Sequence, residues 1–278
     1  MPGSVPKYME LTPKLVRTAH LKEFKQSGRK FSCLTSYDHM TAGIFDEAGI
    51  DVILVGDSAA DNSLGYSSTL PVTIDEMVSF GRAVSTAAKR SLVVIDMPFG
   101  SYETGPADAL TNAIKIMKTS GAAAVKLEGG ERSSAQIAAI VEAGIAVMGH
   151  IGFTPQSVNA LGGFKVQGRG EGAEQLLSDA KAVEAAGAFA VVLEMVPAEI
   201  AAQVTRELSI PTIGIGAGPD TDGQILVWTD FAGLSAQKPR KFVKRYANIR
   251  ETLLESAKQY ASEVSSGEFP TQDHSFEN

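Results

Sequence analysis

Short apolar runs rich in β-branched residues alternate with longer amphipathic segments along most of this 278-residue chain. Strands that are apolar throughout and separated by helices indicate a parallel sheet covered on both faces, and therefore an α/β protein. Eight such runs within about 200 residues fit a single (β/α)8 TIM barrel better than a doubly wound open sheet, which remains the alternative. The runs cover residues 31–38, 51–58, 91–98, 122–129, 145–152, 189–196, 211–218 and 224–230.

Helices are predicted between most of these runs, for example over residues 73–89 and 172–188. A glycine precedes four of the strands, where the C-cap of the preceding helix is expected, namely Gly49, Gly121, Gly144 and Gly187. One more helix is expected before Gly28, as an N-terminal cap on the bottom of the barrel. Composition changes abruptly nowhere, so we expect one barrel domain over residues 1–278, with 1–12 and 266–278 as flexible or docking tails.

Composition argues against several classes of protein. The formal net charge of −7 is unlike the basic surface of a nucleic-acid-binding protein. The chain has no apolar run of about 18 residues that would span a membrane, and its N-terminus lacks the pattern of a signal peptide. The single cysteine, Cys33, lies in an apolar stretch and is interpreted as a buried structural thiol rather than a nucleophile. We therefore expect a cytoplasmic protein with small-molecule ligands, without nucleic-acid or membrane partners.

Polar side chains stand at the carboxyl ends of five neighbouring strands. In a barrel these ends meet at one mouth, where active sites are built. Lys126 and Glu128 are two residues apart, so they face the same side of their strand. The complete set is Asp57 and Ser58 after the second strand, Asp96 after the third, Lys126 and Glu128 on the fourth, His150 on the fifth and Glu194 on the sixth.

Each of these residues has an ordinary structural interpretation when it is taken alone. An aspartate often caps a helix, and a lysine at a strand end often extends its ammonium group into water. Together, however, four carboxylates repel one another and need a cation, a shared proton or Lys126 to coexist. Oxygen ligands without cysteine favour Mg²⁺ over zinc. The residues alone predict a metal-assisted enzyme for a small anionic substrate, and they leave the reaction open.

Two loops on the same side of the barrel are unusually long. They cover residues 59–73, after the second strand, and residues 153–172, after the fifth. Loops above roughly 12–15 residues are often lids or binding loops, so we expect both to frame the site.

Several long motifs resemble the ketopantoate hydroxymethyltransferase family over about residues 10–265. They are "LTSYD", "VGDS", "STLPVT", "VKLEGG", "GHIGFTPQSVNALGGFKVQGRG" and "IPTIGIGAGPDTDGQILVWTD". The resemblance implies a (β/α)8 barrel that binds Mg²⁺ and transfers a hydroxymethyl group from 5,10-methylenetetrahydrofolate to 3-methyl-2-oxobutanoate. The product, 2-dehydropantoate, is a precursor in pantothenate and coenzyme A synthesis. The resemblance also implies a homo-oligomer, a decamer of two stacked rings.

The family's functional residues match positions already selected at the strand ends. By resemblance, the metal ligands are Asp57, Asp96 and Glu128, and the catalytic proton acceptor is Glu194. The residues implied to contact the substrate are Asp57, Ser58, Asp96, Lys126 and His150. The chain departs from the familiar pattern at "AADNSLGY" after Ser58 and at "LSAQKPRKFVKRY", which leaves folate and subunit contacts open.

Two other functions remain as alternatives. The nearer one is a Mg²⁺-dependent oxo-acid lyase or aldolase of the phosphoenolpyruvate/isocitrate-lyase type. By resemblance those enzymes carry a catalytic cysteine in a loop, and Cys33, on the first strand, is poorly placed for that role. The other is a barrel that binds ligands without turnover, which is disfavoured because every catalytic-type position is filled.

Overall fold

The computed structural model describes residues 13–236 and 238–277. Its eight strands are all parallel, and each pairs with the next in chain order until β8 closes the barrel against β1. This architecture confirms the predicted (β/α)8 TIM barrel. The strands are β1 (Phe31–Thr35), β2 (Val52–Val55), β3 (Leu92–Asp96), β4 (Ala124–Glu128), β5 (Val147–Gly152), β6 (Ala190–Glu194), β7 (Thr212–Ile215) and β8 (Gly223–Leu226).

Helices follow most strands, as the alternating pattern predicts. The single turns of 3₁₀ helix cover Glu131–Ser133, Pro155–Ser157 and Gln272–His274. The α-helices are α1 (Thr18–Ser27), α2 (His39–Glu47), α3 (Ala59–Asn62), α4 (Ile74–Ala87), α5 (Pro106–Ser120), α6 (Ser134–Glu142), α7 (Gly172–Ala185), α8 (Ala198–Glu207), α9 (Trp228–Phe231) and α10 (Ile249–Ser266).

The predicted runs contain seven of the eight strands and extend beyond them, whereas β8 begins at Gly223, one residue before its run. The largest error is in the last run, 224–230, because β8 ends at Leu226 and Trp228–Phe231 forms the short helix α9. A backbone hydrogen bond of 2.8 Å from Ala232 N to Trp228 O closes this turn. The error has a physical reason, since a short apolar run does not distinguish strand from helix by periodicity.

The N-terminal helix α1 lies against the bottom of the barrel, as expected. Lys25 Nζ donates to Asp222 Oδ2 over 2.9 Å, immediately before β8 begins. The same ammonium group donates to Thr205 O over 2.7 Å. The ring of Phe24 packs on Phe31, the first residue of β1, with centroids 6.3 Å apart. These contacts bind α1 to the amino ends of the strands, opposite the predicted site.

Four glycines stop their helices where the sequence predicts. All four have a positive φ, a conformation that side chains with a Cβ rarely adopt. The angles are 85° at Gly49, 76° at Gly121, 86° at Gly144 and 93° at Gly187. Each glycine turns the chain from a helix toward the next strand.

The chain separates into two compact units, one ending at Val227 and one beginning at Trp228. All eight strands lie in the first unit, and α9 and α10 lie in the second. The single domain over 1–278 stays a prediction. Of the predicted tails, 1–12 lies outside the described residues, and 266–278 includes the end of α10 and one 3₁₀ turn. Across 13–236 and 238–277, no helix has both the length and the apolarity to span a bilayer.

Candidate active site

Strand register brings the predicted polar residues together at the carboxyl end of the barrel. Asp96 pairs with Lys126 across β3 and β4, and Glu128 pairs with His150 across β4 and β5. The last residue of β6, Glu194, pairs with Gly152 on β5. The five most buried site residues are each at most 4% exposed, and they are Asp57, Asp96, Lys126, Glu128 and His150.

Lys126 is the positive centre of this cluster. Its Nζ lies 2.7 Å from Asp96 Oδ1 and 3.2 Å from His150 Nδ1. Burial lowers the pKa of Lys126, but the surrounding carboxylates outweigh burial and raise the pKa to about 12. Lys126 is therefore a fixed cation within the barrel mouth.

His150 connects two of the carboxylates. Its Nδ1 lies 3.3 Å from Glu128 Oε1, and its Nε2 lies 3.4 Å from Glu194 Oε2. Burial and Lys126 lower the pKa of His150, but the two glutamates raise it to about 9. Burial raises the pKa of Glu128, but His150 and Lys126 outweigh this and hold it below its usual value. The raised pKa favours a protonated His150, whose ring lies between Glu128 and Glu194.

Negative charge exceeds positive charge around Asp57. Burial, followed by repulsion from Asp96 and Glu128, raises the pKa of Asp57 well above its usual value. Burial also raises the pKa of Asp96, although Lys126 opposes that effect. Since a divalent cation would offset this repulsion, the donor set fits Mg²⁺. In the described parts of the chain, no three or more His, Cys, Asp or Glu side chains are arranged to enclose a metal ion. That finding is compatible with Mg²⁺, which usually keeps several waters.

Gly56 packs closely against the side chains of Ser58 and Asp96. A Cβ at this position would lie 2.8 Å from Ser58 Oγ and 3.6 Å from Asp96 Oδ2. The hydroxyl of Ser58 is 2.7 Å from the hydroxyl of the buried Tyr37. Thus Ser58, predicted from the sequence, lies between Gly56 and Tyr37 near Asp96, and Tyr37, which sequence analysis missed, orients its hydroxyl.

A second missed residue, Gln156, lies in the long loop after β5. Its Nε2 donates to Asp57 Oδ2 over 2.9 Å and to Met97 O over 3.0 Å. Its Oε1 accepts from the hydroxyl of Tyr102, and its backbone N–H donates to Glu128 Oε2 over 3.0 Å. The prediction of a binding loop over 153–172 identified the segment that contains Gln156. It did not identify that the Gln156 side chain faces Asp57.

The same loop is bound to the end of β6. Phe153 N donates to Glu194 O over 2.8 Å, and Gln167 N donates to Met195 O over 2.9 Å. Met195 has a φ of 49°, which is rare for a residue with a side chain. The loop over 153–172 therefore lies beside both Glu194 and the buried acids, as predicted. The loop over 59–73 begins with α3, directly after Asp57 and Ser58.

These features define a TIM-barrel enzyme site with buried carboxylates and a buried lysine at the strand ends. The profile of the ketopantoate hydroxymethyltransferase family matches residues 15–272. The chain belongs to this family, which confirms the resemblance seen in the sequence, and it is a hydroxymethyltransferase.

Curated relatives agree with this assignment over nearly the whole chain. The 3-methyl-2-oxobutanoate hydroxymethyltransferase of Leifsonia xyli subsp. xyli is 62% identical over 265 residues, covering 95% of this chain and 96% of the relative. The enzyme of the same name from Mycobacterium tuberculosis is 59% identical over 261 residues, covering 94% and 93%.

More distant solved structures share the fold. A phosphonopyruvate hydrolase in complex with oxalate and Mg²⁺ has a TM-score of 0.61 at 14% identity, covering 95% of this chain and 92% of that chain. A 2,3-dimethylmalate lyase of the PEP mutase/isocitrate lyase superfamily has a TM-score of 0.59 at 16% identity, covering 93% and 91%. At this level of identity the likeness extends to the barrel alone.

Proposed function

We propose that this chain transfers a hydroxymethyl group from 5,10-methylenetetrahydrofolate to 3-methyl-2-oxobutanoate, giving 2-dehydropantoate for pantothenate synthesis. The observation that carries the proposal is the cluster of Lys126 and three buried carboxylates at the barrel mouth, in a chain of this family. A buried cation beside a prospective metal site suits a small oxo acid, because such a substrate has both a carboxylate and a carbonyl oxygen.

Mg²⁺ is the proposed metal. Asp57 and Asp96 would hold it, since one or two carboxylates with water and substrate oxygens are its usual ligands. Glu128 would be the third acid of the metal site, and its two oxygens contact His150 and the backbone N–H of Gln156. When bound, Mg²⁺ supplies Lewis-acid polarisation of the substrate oxygens.

Lys126 and Ser58 are the proposed substrate-binding groups. The ammonium group of Lys126 remains charged at any physiological pH, so it offsets the negative charge of the oxo acid. The hydroxyl of Ser58, already oriented by Tyr37, would donate to a substrate oxygen. These two residues bind and orient the substrate before any proton moves.

Glu194 is the proposed general base. Its side chain is 13% exposed, so it can reach a ligand in the mouth, and His150 lies 3.4 Å from its Oε2. Glu194 would take the proton from C3 of the oxo acid. In the overall transfer C3 then forms a bond to the folate's methylene carbon, both carbon–nitrogen bonds to that carbon break, and water supplies the hydroxyl oxygen, so that tetrahydrofolate leaves. Hydrogen bonds from the loop to the backbone at Glu194 and Met195 keep the base beside the site.

The oxo-acid lyase alternative is weaker on structural grounds. Cys33 lies within β1 and is buried, and burial raises the pKa of its thiol well above the usual value. A buried thiol of this kind is unreactive. Cys33 therefore does not supply the catalytic loop cysteine that the resemblance implies for those lyases.

Proton NMR of 3-methyl-2-oxobutanoate in D₂O tests the proposal. With protein and Mg²⁺ we expect loss of the C3 proton signal, followed by 2-dehydropantoate once 5,10-methylenetetrahydrofolate is added. EDTA should stop both steps. Exchange without product would indicate another electrophile and favour the lyase or aldolase alternative. A folded sample that binds the acid without exchange would indicate a barrel that only binds ligands.

Assembly and location are proposed from the family resemblance. We expect a homo-oligomer, specifically a decamer, in the cytoplasm. Light scattering of the purified protein gives the mass of the assembly directly, and a monomer would contradict this expectation.

A further inference from the structure

Gln156 uses every hydrogen-bonding atom of its side chain within the site. It is buried, with 6% of its surface exposed. Nε2 has two hydrogens, and they point to Asp57 Oδ2 at 2.9 Å and to Met97 O at 3.0 Å. Oε1 accepts the hydroxyl hydrogen of Tyr102, which in turn accepts from Glu128 N over 3.2 Å. Both polar atoms of the amide therefore have partners, of which Asp57 follows β2, and Met97 and Tyr102 lie in the loop between β3 and α5.

The acceptors determine which way this amide faces. Met97 O is a backbone carbonyl and can only accept, and an ionised Asp57 can also only accept. If the amide were rotated by a half turn, its oxygen would face both acceptors and its NH₂ group would face the Tyr102 hydroxyl. Only the observed orientation satisfies all three contacts, so a donor faces Asp57.

The backbone of Gln156 holds a second acid. Its N–H donates to Glu128 Oε2 over 3.0 Å, so one residue of the loop contacts two of the three buried carboxylates. Burial, followed by repulsion from Asp96 and Glu128, raises the pKa of Asp57, and the side-chain hydrogen bond from Gln156 favours its charged form. An outer residue that donates to a metal ligand fixes the direction of that ligand.

We propose that Gln156 is a positioning residue that fixes the Asp57 carboxylate for the divalent cation and joins the loop over 153–172 to the metal site. This inference rests on the proposed function, because it assumes that Asp57 is a metal ligand. Gln156 does not itself touch the reacting atoms. Loss of a residue in such a position typically weakens metal affinity by about 10–100-fold.

Gln156→Met is the most direct test. Methionine matches glutamine in length and removes both the donor to Asp57 and the acceptor for Tyr102. Gln156→Asn is the second variant. It keeps an amide group, and a water molecule can bridge the distance by which asparagine is shorter. This variant carries the test if Gln156→Met does not fold. Gln167→Met is the matched control, since Gln167 lies on the same loop and its Nε2 donates to the exposed carbonyl of Lys165, over 3.0 Å.

Mg²⁺ affinity, measured by calorimetry on the full chain without substrate, is the primary readout. We expect the Kd for Mg²⁺ to rise about 10–100-fold in both Gln156 variants and to stay near wild type in Gln167→Met. Turnover of the Gln156 variants should recover toward wild type at saturating Mg²⁺, which a general loss of structure would not allow. Circular dichroism and Tm establish that each variant is folded.

The outcomes separate this inference from the proposed function. Wild-type protein that binds Mg²⁺, together with Gln156 variants that bind it equally well, would overturn the role of Gln156 and leave the function intact. Wild-type protein that binds no Mg²⁺ would overturn the proposed metal site, and the positioning role with it. If both Gln156 variants unfold while Gln167→Met folds, Gln156 has a structural role and the proposal is wrong.

Discussion

Lys126 Nζ and Asp96 Oδ1 are 2.7 Å apart, and the two residues are direct register partners on neighbouring strands. Both side chains are only 4% exposed. A buried pair of this kind is weak support for stability in itself, because desolvation offsets the attraction. Removing one partner destabilises the protein strongly, since it leaves an uncompensated charge in the interior. Here it would also remove a positive charge that lowers the pKa values of Asp57 and Glu128.

Lys126→Met should therefore destabilise the protein strongly. We expect the free energy of unfolding in EDTA at neutral pH to fall by about 3–5 kcal/mol, because Asp96 becomes a buried charge without a partner. Urea denaturation measures this change. The variant should also lose affinity for the oxo acid, which calorimetry with Mg²⁺ present would detect.

Lys115→Met is the matched control for that experiment. Lys115 pairs with Asp75 at 2.6 Å, but the two side chains are 46% and 81% exposed. Exposed pairs contribute about 0–1 kcal/mol, so this variant should remain close to wild type. Equal losses of stability in the two variants would mean that burial of the Lys126–Asp96 pair does not matter.

Glu194→Gln should remove the proposed base while preserving its shape. We expect turnover to fall about 10²–10⁴-fold, which is the usual contribution of a positioned base, with Mg²⁺ affinity nearly unchanged. Exchange of the C3 proton in D₂O, followed by NMR, isolates the proton-transfer step. The control is Glu199→Gln, on the exposed first turn of α8. A Glu194 variant that exchanges the proton at the wild-type rate would assign the base elsewhere.

The barrel could be predicted because its signal is local in sequence. A strand buried on both faces needs apolar residues at every position, as in Val52–Val55, and a helix between strands shows its own periodicity. The same locality identified the strand-end residues, because a polar residue directly after an apolar run must lie at the end of its strand. The strand prediction over 224–230 was wrong after Leu226. The helix that follows, Trp228–Phe231, has only four residues and is too short to show a helical periodicity in the sequence.

The support around the acids could not be predicted, because it depends on contacts between distant segments. Gln156 is 99 residues from Asp57 and 54 residues from Tyr102 along the chain. Nothing local distinguishes an inward-facing glutamine in a loop from an exposed one. The link from His150 to both Glu128 and Glu194 likewise follows from the barrel register.

His150 should make the stability of the metal-free protein depend on pH. Burial and Lys126 lower its pKa, but the glutamates outweigh them, so the pKa rises from 6.5 to about 9 in the folded state. The folded protein then binds this proton more tightly than the unfolded chain. The contribution to stability is complete below pH about 6.5 and is lost as the pH rises through about 9. The raised pKa of Asp57 acts in the same sense.

We therefore expect the free energy of unfolding in EDTA to fall across this window, by an amount on the order of 3 kcal/mol for His150. Urea denaturation at a series of pH values measures the slope. His150→Gln should flatten it, whereas His39→Gln, which removes an exposed histidine at the start of α2, should leave it unchanged. Stability that rises with pH over this window would contradict the proposed charge on His150.

Gly152 allows β5 and its loop to approach Glu194 closely, which leads to a further prediction. Its φ is +88°, and an added Cβ would lie 2.4 Å from Glu194 O and 2.7 Å from Val196 Cγ2. Gly144 has nearly the same φ, +86°, but an added Cβ there would contact nothing within 4 Å. The two positions therefore share the cost of the left-handed backbone, roughly 1–2 kcal/mol for alanine, and differ in the steric clash alone.

Gly144→Ala should lose only that backbone cost and keep wild-type turnover. Gly152→Ala should lose more stability, and its turnover should fall about 10²-fold, because even a 1 Å displacement of a catalytic group can have that effect. Mg²⁺ affinity should change little in either variant, since neither position contacts Asp57 or Asp96. Denaturation, steady-state rates and metal titration on both variants measure the three quantities. Equal turnover in the two variants would show that the close approach at Gly152 does not place Glu194.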